Sequence, residues 1–451
     1  MEFVGKRVLV IGMARSGVAV SALLCRHHAR VTINDRKTEA ELGDALAELR
    51  GMDMEWRLGE DPVALLDSTD VLVISPGVPI TAPVVKAARE RGIPVLGEIE
   101  VAYRLSKGRI VAVTGTNGKT TTTTLISEIF KNAGRLTYTV GNIGFPFSAI
   151  ADETTPEDVI ACEVSSFQLE SIDMFRPWIS AVLNVTEDHL NRHGTMDEYI
   201  RMKMRIFENQ RRDDACVLNY DDPITRDMAG HMLAKPVFFS RRAQVDGAYV
   251  KDGQIVFGRE FPRNVCRVDE VRIPGPHNLE NALAAVAMAV CAGVPLPVIR
   301  HTLRTFAGVE HRIEFVRELN GIRYINDSKG TNVDSTLKAI ETMDRPTIII
   351  LGGSDKKSDY TPMAELMVKW PHIVGAVVIG ETQRDIVAAL DRAGFTNYKC
   401  ESDFKQAILT ARDMASAGGN VLLSPACASF DMFRDFEQRG EVFKQIVGEL
   451  N

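Results

Sequence analysis

A chain of 451 residues, 45% apolar and 25% charged, is long enough for two or three domains with separate cores and has an ordinary globular composition. Its formal charge of -7 argues against a general nucleic-acid or membrane-surface binder, which needs a net basic face, and leaves local basic pockets for small anions open. The seven cysteines are scattered without a C-x-x-C pair, so neither a disulfide framework nor a zinc knuckle is indicated and buried thiols in a reducing compartment are expected.

Strand-like VLVIG begins almost at once and no apolar run reaches membrane-spanning length, so the expected location is cytoplasmic. The first hundred residues alternate strands and helices: RVLVIG over 7–12, a helix from about Ser16, RVTIND over 30–35, DVLVIS over 70–75 and a helix from about Ala82. That alternation predicts a parallel sheet covered by helices on both faces. The turn Gly12-Met13-Ala14-Arg15-Ser16-Gly17 departs from the dinucleotide fingerprint G-x-G-x-x-G only at Ala14, and Asp35 ends the second strand where a ribose-binding acid sits. A methyl group at Ala14 hinders close approach of a pyrophosphate, so NAD, another nucleotide and a purely structural turn all stay open. The turn Ser75-Pro76-Gly77 falls at the same carboxyl edge, where open α/β sheets bind ligands.

Residues 105–108 read as a linker, and RIVAVTGTNGKTTTTTLISEI follows from Arg109. An apolar strand, a turn holding Gly115 and Gly118, and a helix opened by Lys119 and Thr120 let backbone N–H groups surround a phosphate. Lys119 would reach the outer phosphates and the Thr120 hydroxyl would hold magnesium. The first glycine of a Walker A pattern would fall at Val113, so only Gly118-Lys119-Thr120 matches. Five consecutive threonines are poor helix formers, kept for hydroxyl chemistry or packing, or tolerated at a helix start.

DVIACEV over 158–164 and WISAVLNV over 178–185 read as core strands whose ends carry Glu163 with Ser165-Ser166-Phe167-Gln168, and Asn184 through His189. Polar residues there are placed to reach magnesium or its waters. His189 is open as a magnesium ligand, a base or a partner of Glu187. Lys203, in the helical stretch YIRMKMRIFEN, has two readings. One is a snorkelling surface lysine; the other is a desolvated amine that takes up carbon dioxide as a carbamate facing magnesium. VKDGQIVF predicts a hairpin turning at Asp252-Gly253, and the Ala/Leu/Val-rich helix from about Asn278 must be buried on more than one face. His277 opens that helix as a cap or as a site residue.

A second boundary falls near Gly308. IEFVRELNGIRYIND predicts a hairpin at Asn320-Gly321, and TIIILGG, GAVVIG and NVLLSPA alternate with helices as a further parallel layer. Loops over 326–332, 352–357 and 424–429 each follow a predicted strand. A solvated turn accounts for any one of them, but three at one edge, with lysines and several hydroxyls, suit an acidic substrate.

The blocks TGTNGKTT, EVSSFQLE, NVTEDHLNRHG, the YIRMKMRIFEN lysine, GPHNLENALAA, HRIEF, INDSKGTN, LGGSDKKSDY and LLSPACASFDMFRDFEQRG, in this order, resemble the Mur ligases of peptidoglycan synthesis. The family's loop TG-x-NGK-[ST] lacks the first Walker glycine, which accounts for Val113. The resemblance implies an α/β chain of three domains: an N-terminal Rossmann-like domain over 1–105 binding a UDP substrate, a central P-loop ATPase domain over 106–308 with a parallel sheet plus a small β portion, and a C-terminal Rossmann-like α/β domain over 309–451. It implies ATP-dependent amide formation through an acyl phosphate, in a cytoplasmic enzyme expected to be a monomer. Within the family the motifs look most like those of the branch that adds D-glutamate to UDP-N-acetylmuramoyl-L-alanine. Sister ligases and folylpolyglutamate synthase are the near rivals; a P-loop switch and a dehydrogenase are the distant ones.

By the same resemblance Gly115, Thr116, Asn117, Gly118, Lys119, Thr120 and Thr121 bind ATP, with Asn278, Arg312 and Asp327. Thr120 and Glu163 hold one magnesium ion, and His189 with a carbamylated Lys203 holds a second. Lys119, His189 and Lys203 form the catalytic set. Ala14, Arg15, Arg36, Lys37 and Ser75 neighbour the uridine diphosphate, and Asn142 and Ser165 the muramoyl-alanine part. Lys329, Thr331, Lys356, Ser429 and Phe436 shape the glutamate site. Two magnesium ions repel a cationic lysine and attract a carbamate, which favours the second reading of Lys203.

Overall fold

The structure, a computed structural model, describes residues 3–354 and 358–450. Among the described residues the strands form three sheets. The first holds β1 (Arg7–Ile11), β2 (Arg30–Asn34), β3 (Met54–Trp56), β4 (Val71–Ile74) and β5 (Val95–Gly97) in the order β3-β2-β1-β4-β5. Every pairing is parallel. Val8–Ile11 and Val71–Ile74 are buried throughout, as strands covered on both faces require. The order reverses between β1 and β4, opening a crevice at their carboxyl ends.

That crevice is fastened locally. A Cβ at Gly17 would lie 1.8 Å from the Gly12 carbonyl oxygen, so only glycine fits where the helix Arg15–Arg26 starts. Ser75 donates its hydroxyl to the same Gly12 carbonyl at 2.6 Å. The Asp35 carboxylate accepts the N–H groups of Met13 and Lys37 at 2.7 and 2.9 Å, so it holds the glycine turn in place.

The second sheet contains β6 (Arg109–Thr114), β7 (Thr137–Gly141), β8 (Val159–Glu163), β9 (Ile179–Val182), β10 (Ala215–Asn219), β11 (Lys235–Ser240), β12 (Gly247–Lys251), β13 (Gln254–Phe257) and β14 (Arg263–Arg267). Its order is β14-β13-β12-β11-β10-β9-β6-β8-β7, parallel from β7 to β12 and antiparallel beyond. The β12–β13 turn places Asp252 and Gly253 at φ of 50° and 72°, the left-handed pair a two-residue hairpin demands. β9 stops at Val182, short of the expected Val185, because the Val185 N–H turns away to the Asp222 carboxylate at 2.9 Å. The helix Pro276–Cys291 buries every residue from Asn281 to Ala289, so it is packed all round as its composition requires.

The third sheet contains β15 (Glu314–Leu319), β16 (Ile322–Asn326), β17 (Thr347–Gly352), β18 (Ile373–Ile379), β19 (Tyr398–Cys400) and β20 (Asn420–Leu423), in the order β15-β16-β20-β17-β18-β19. Only β15–β16 is antiparallel, through Asn320 and Gly321 at φ of 52° and 77°. Met1–Val271 with Asn278–Phe306 form one compact unit carrying the first two sheets; Arg272–His277 with Ala307–Asn451 form another carrying the third. Among the described residues no helix is long and apolar enough to cross a membrane.

Candidate active site

β6 ends at Thr114, and the helix Lys119–Asn132 begins after a turn in which Gly115 and Gly118 take φ of 148° and 84°. A Cβ at Gly118 would stand 2.2 Å from the Asn281 Oδ1, so packing as well as φ demands glycine. Asn184, just past β9, clamps the turn. Its Oδ1 accepts the Asn117 N–H at 2.8 Å, its Nδ2 donates to the Asn117 carbonyl at 3.0 Å, and its own carbonyl accepts the Thr116 N–H at 2.9 Å. The Thr116 hydroxyl lies 3.2 Å from the Tyr199 hydroxyl. A rigid glycine turn thus delivers the first N–H groups of a 14-residue helix, including those of Thr120 and Thr121, which no intrahelical carbonyl can take. That is an anion-binding arrangement.

Two lysines converge on one carbonyl of this turn. Lys119 donates to the Gly115 and Thr116 carbonyls at 3.0 and 2.8 Å, and Lys203 donates to the Gly115 carbonyl at 2.8 Å. Lys203 is only 1% exposed, which corrects the surface reading of this residue. The reason is helical period: Tyr199, Met202 and Lys203 are the buried positions of the helix Met196–Met204, so they share its inward stripe. Its amine lies 4.3 Å from the Tyr199 ring centroid. Burial, and then the charge of Lys119, hold the Lys203 pKa well below the ordinary lysine range.

Glu163 ends β8, its backbone in register with Val113 beside the turn. The side chain is buried; Oε1 accepts the Asn142 Nδ2 at 2.8 Å, and Oε2 has no hydrogen-bond partner among the described residues. The Asn142 N–H also donates to the Glu163 carbonyl at 2.9 Å. A buried carboxylate oxygen left without a donor is costly, and a hard divalent cation fits it. Ser165 caps the short helix Ser166–Leu169, accepting the Gln168 N–H at 3.2 Å.

His189 adopts a left-handed φ of 55°, with its imidazole 3.5 Å from the Asp188 carboxylate. Its ring packs 4.8 Å from Phe167 and 6.4 Å from Tyr199, so His189 and Lys203 flank one tyrosine. Arg192 and His193 were not singled out from the sequence. His193 is buried 2.9 Å from the Ser166 hydroxyl and 3.5 Å from Glu170, and burial lowers its pKa. The signal available was the i, i+4 spacing of the two histidines in DHLNRHG.

Elsewhere in this unit, Ala14 precedes the helix Arg15–Arg26 and Arg15 donates to the Gly144 carbonyl at 2.6 Å. Arg36 and Lys37 follow β2. Asn278 is buried and accepts the Asn281 Nδ2 at 3.2 Å.

In the other unit the loops after β16, β17 and β20 meet. Asp327 is fully buried; Oδ2 accepts the Ser424 hydroxyl at 2.7 Å, and Oδ1 accepts the Ile313 N–H at 3.2 Å with the Arg312 guanidinium at 3.4 Å. Burial pushes its pKa up although Arg312 opposes the shift. Arg312 stands between two left-handed residues, His311 and Ile313, at φ of 61° and 46°. The Lys329 amine lies 5.0 Å from the Phe436 ring centroid, and the Thr331 N–H donates to the Lys329 carbonyl at 2.9 Å. Ser429 is buried, its carbonyl accepting the Phe433 N–H at 2.8 Å. Buried Arg439 braces the same loops, donating to the carbonyls of Ser328, Cys427 and Ala428 at 2.8, 3.1 and 3.2 Å. Lys356 lies outside the described residues.

The chain matches the Mur ligase MurD-like N-terminal domain over residues 6–97, the Mur ligase middle domain over 113–289 and the Mur ligase glutamate ligase domain over 311–427. It is 47% identical over 455 residues to the UDP-N-acetylmuramoylalanine--D-glutamate ligase of Alkaliphilus oremlandii, covering 100% of both chains. It is 48% identical to the ligase of the same name from Pelotomaculum thermopropionicum, covering 100% of this chain and 99% of that one. The solved structure of UDP-N-acetylmuramate-alanine ligase from Thermotoga maritima shares the fold, with a TM-score of 0.62 at 18% identity over 98% of this chain and 99% of that one. With three matched domains in order and near-half identity along its whole length, the chain belongs to the Mur ligase family.

Proposed function

We propose that this protein is the ATP-dependent ligase that joins D-glutamate to UDP-N-acetylmuramoyl-L-alanine, a cytoplasmic step of peptidoglycan synthesis. The observation that carries the reading is full-length identity of 47% and 48% to two ligases named for that pair. The buried Lys203 amine and the open Glu163 oxygen beside a phosphate turn support the chemistry.

The reading assigns UDP binding to residues 1–105, ATP binding to 106–308 and the amino acid to 309–451 in a monomer. Gly115 through Thr121, Asn278, Arg312 and Asp327 bind ATP. The substrate carboxylate attacks the γ-phosphorus, releasing ADP and forming an acyl phosphate; the D-glutamate amine then attacks the acyl carbon, and phosphate leaves as the amide forms. Lys119 and the helix N–H groups neutralise the phosphoryl oxygens as charge moves onto them. Thr120 and Glu163 hold one magnesium ion, and His189 with carbamylated Lys203 a second. Magnesium there supplies further charge neutralisation. The neutral Lys203 amine adds to carbon dioxide: an N–C bond forms, one C–O π bond breaks with its electron pair going to oxygen, a proton passes from nitrogen to water, and an anion stands where a neutral amine stood.

Ala14, Arg15, Arg36, Lys37 and Ser75 take the uridine diphosphate. Asn142 and Ser165 take the muramoyl-alanine end, and Lys329, Thr331, Lys356, Ser429 and Phe436 take D-glutamate. The test is ADP release with UDP-N-acetylmuramoyl-L-alanine and a panel of D-glutamate, L-glutamate, L-lysine and diaminopimelate. D-Glutamate alone is expected to drive turnover. Preference for a diamino acid would transfer the chain to a sister activity, and no turnover with any acceptor would contradict the proposal.

A further inference from the structure

Arg192 lies three positions past His189, where three segments of one compact unit meet. Its guanidinium forks onto Glu170, Nε to Oε1 at 3.1 Å and Nη2 to Oε2 at 2.6 Å. The same Nη2 donates to the carbonyls of Val78 and Pro76 at 3.1 and 3.4 Å. The guanidinium carbon sits 4.9 Å from the Phe167 ring centroid, and Phe167 is the ring that packs on His189. On the other side, the Val78 N–H closes onto the Ser75 carbonyl at 2.9 Å, and Ser75 donates to Gly12 in the crevice between β1 and β4. A single planar group therefore touches the crevice loop of the first sheet and the segment after β8.

Arginine is the side chain that can do this. Its fork matches a carboxylate in two parallel bonds while leaving an N–H for a carbonyl, which a lysine point charge cannot reproduce. The pair is nearly enclosed, with Glu170 at 3% and Arg192 at 15% side-chain exposure, and burying such a pair is weak as a source of stability alone. What the fork does supply is registry between the elements it joins.

We propose that Arg192 is a positioning residue that ties occupancy of the β1–β4 crevice to the placement of His189, so that the UDP substrate and magnesium bind cooperatively. This rests on the proposed function, and Arg192 acts through Phe167 and His189 rather than on the reacting atoms.

The test uses calorimetry as well as rates. UDP-N-acetylmuramoyl-L-alanine is titrated into the protein and into Arg192→Lys, each holding a non-hydrolysable ATP analogue, with and without magnesium. In the unaltered protein magnesium is expected to tighten substrate binding, a coupling of about tenfold. In Arg192→Lys the coupling falls to near onefold, KM for the UDP substrate and the magnesium requirement rise, and KM for D-glutamate stays put. If Arg192→Lys does not fold by circular dichroism, Glu170→Gln with Arg192→Met removes both charges at similar volume and is read in the same titration. Coupling that persists in a folded variant overturns the proposal, as does an equal loss for every substrate. Binding without ligation in the unaltered protein would refute the proposed reaction, while the coupling measurement would still decide the role of Arg192.

Discussion

The edges of the second and third sheets treat their buried charges in opposite ways. At the second sheet, Glu163 keeps one carboxylate oxygen without a donor, and Lys203 is held toward its neutral form against a carbonyl. At the third, both oxygens of Asp327 are taken by Ser424, the Ile313 N–H and Arg312, and Arg439 is spread over three carbonyls. One edge is built to receive charge from outside; the other is fixed before any ligand arrives. On the proposed function, charge chemistry belongs to the second sheet and orientation to the third, and substitutions at the two edges should differ in size and kind.

The largest effect is expected at Lys203. Lys203→Ala should lower kcat about 100-fold or more, because it removes an anion proposed to hold a cation on the transferring phosphate. Nuclear magnetic resonance of the unaltered protein in carbon-13-labelled bicarbonate should show a carbamate carbon that the variant lacks. An alanine variant with full activity would erase the contrast.

Glu163→Gln should come next. It keeps the Asn142 contact at Oε1 and removes the charge, so activity should fall about 10–100-fold and recover in part as magnesium is raised. A loss indifferent to magnesium would remove Glu163 from the metal assignment.

A smaller change is expected at Asp327. Asp327→Asn retains an acceptor for Ser424 and should raise KM for ATP by less than about tenfold with kcat little changed, the pattern of lost uniform binding. Losses equal to those at Lys203 would show that the two edges do the same work.

The least effect is on stability against pH. Because burial lowers the Lys203 pKa in the folded state, the unfolded chain binds more protons between that value and the ordinary 10.5, and stability rises with pH across the window. Asp327 has the opposite sign: its folded pKa is raised, so the folded chain holds more protons above 3.8 and stability falls as pH rises from there. Denaturant midpoints in carbon-dioxide-free buffer should show Lys203→Met flattening the first slope and Asp327→Asn the second. Exchange of those assignments would contradict the reading of both sites.

Much of this was legible in the sequence where the cause is local. The Asp252-Gly253 and Asn320-Gly321 turns, the glycine turn before Lys119 and the Ala/Leu/Val-rich helix at 276–291 declare themselves through residue type and spacing. Without the family resemblance Lys203 is not decidable from its neighbours, because its period matches an inward stripe only once Tyr199 and Met202 are known to be the packed face. Arg192 escapes a sequence reading for a different reason. Glu170 lies 22 positions from Arg192 and the Val78 carbonyl 114, and no local pattern announces a contact made by tertiary packing.

The most direct test follows the atoms. UDP-N-acetylmuramoyl-L-alanine carrying heavy oxygen in its free carboxylate is incubated with the protein, ATP, magnesium and D-glutamate, and the phosphate released is examined by mass spectrometry. The account predicts D-glutamate-dependent phosphate bearing one heavy oxygen, in step with the amide product. Unlabelled phosphate, or release that ignores D-glutamate, would contradict it.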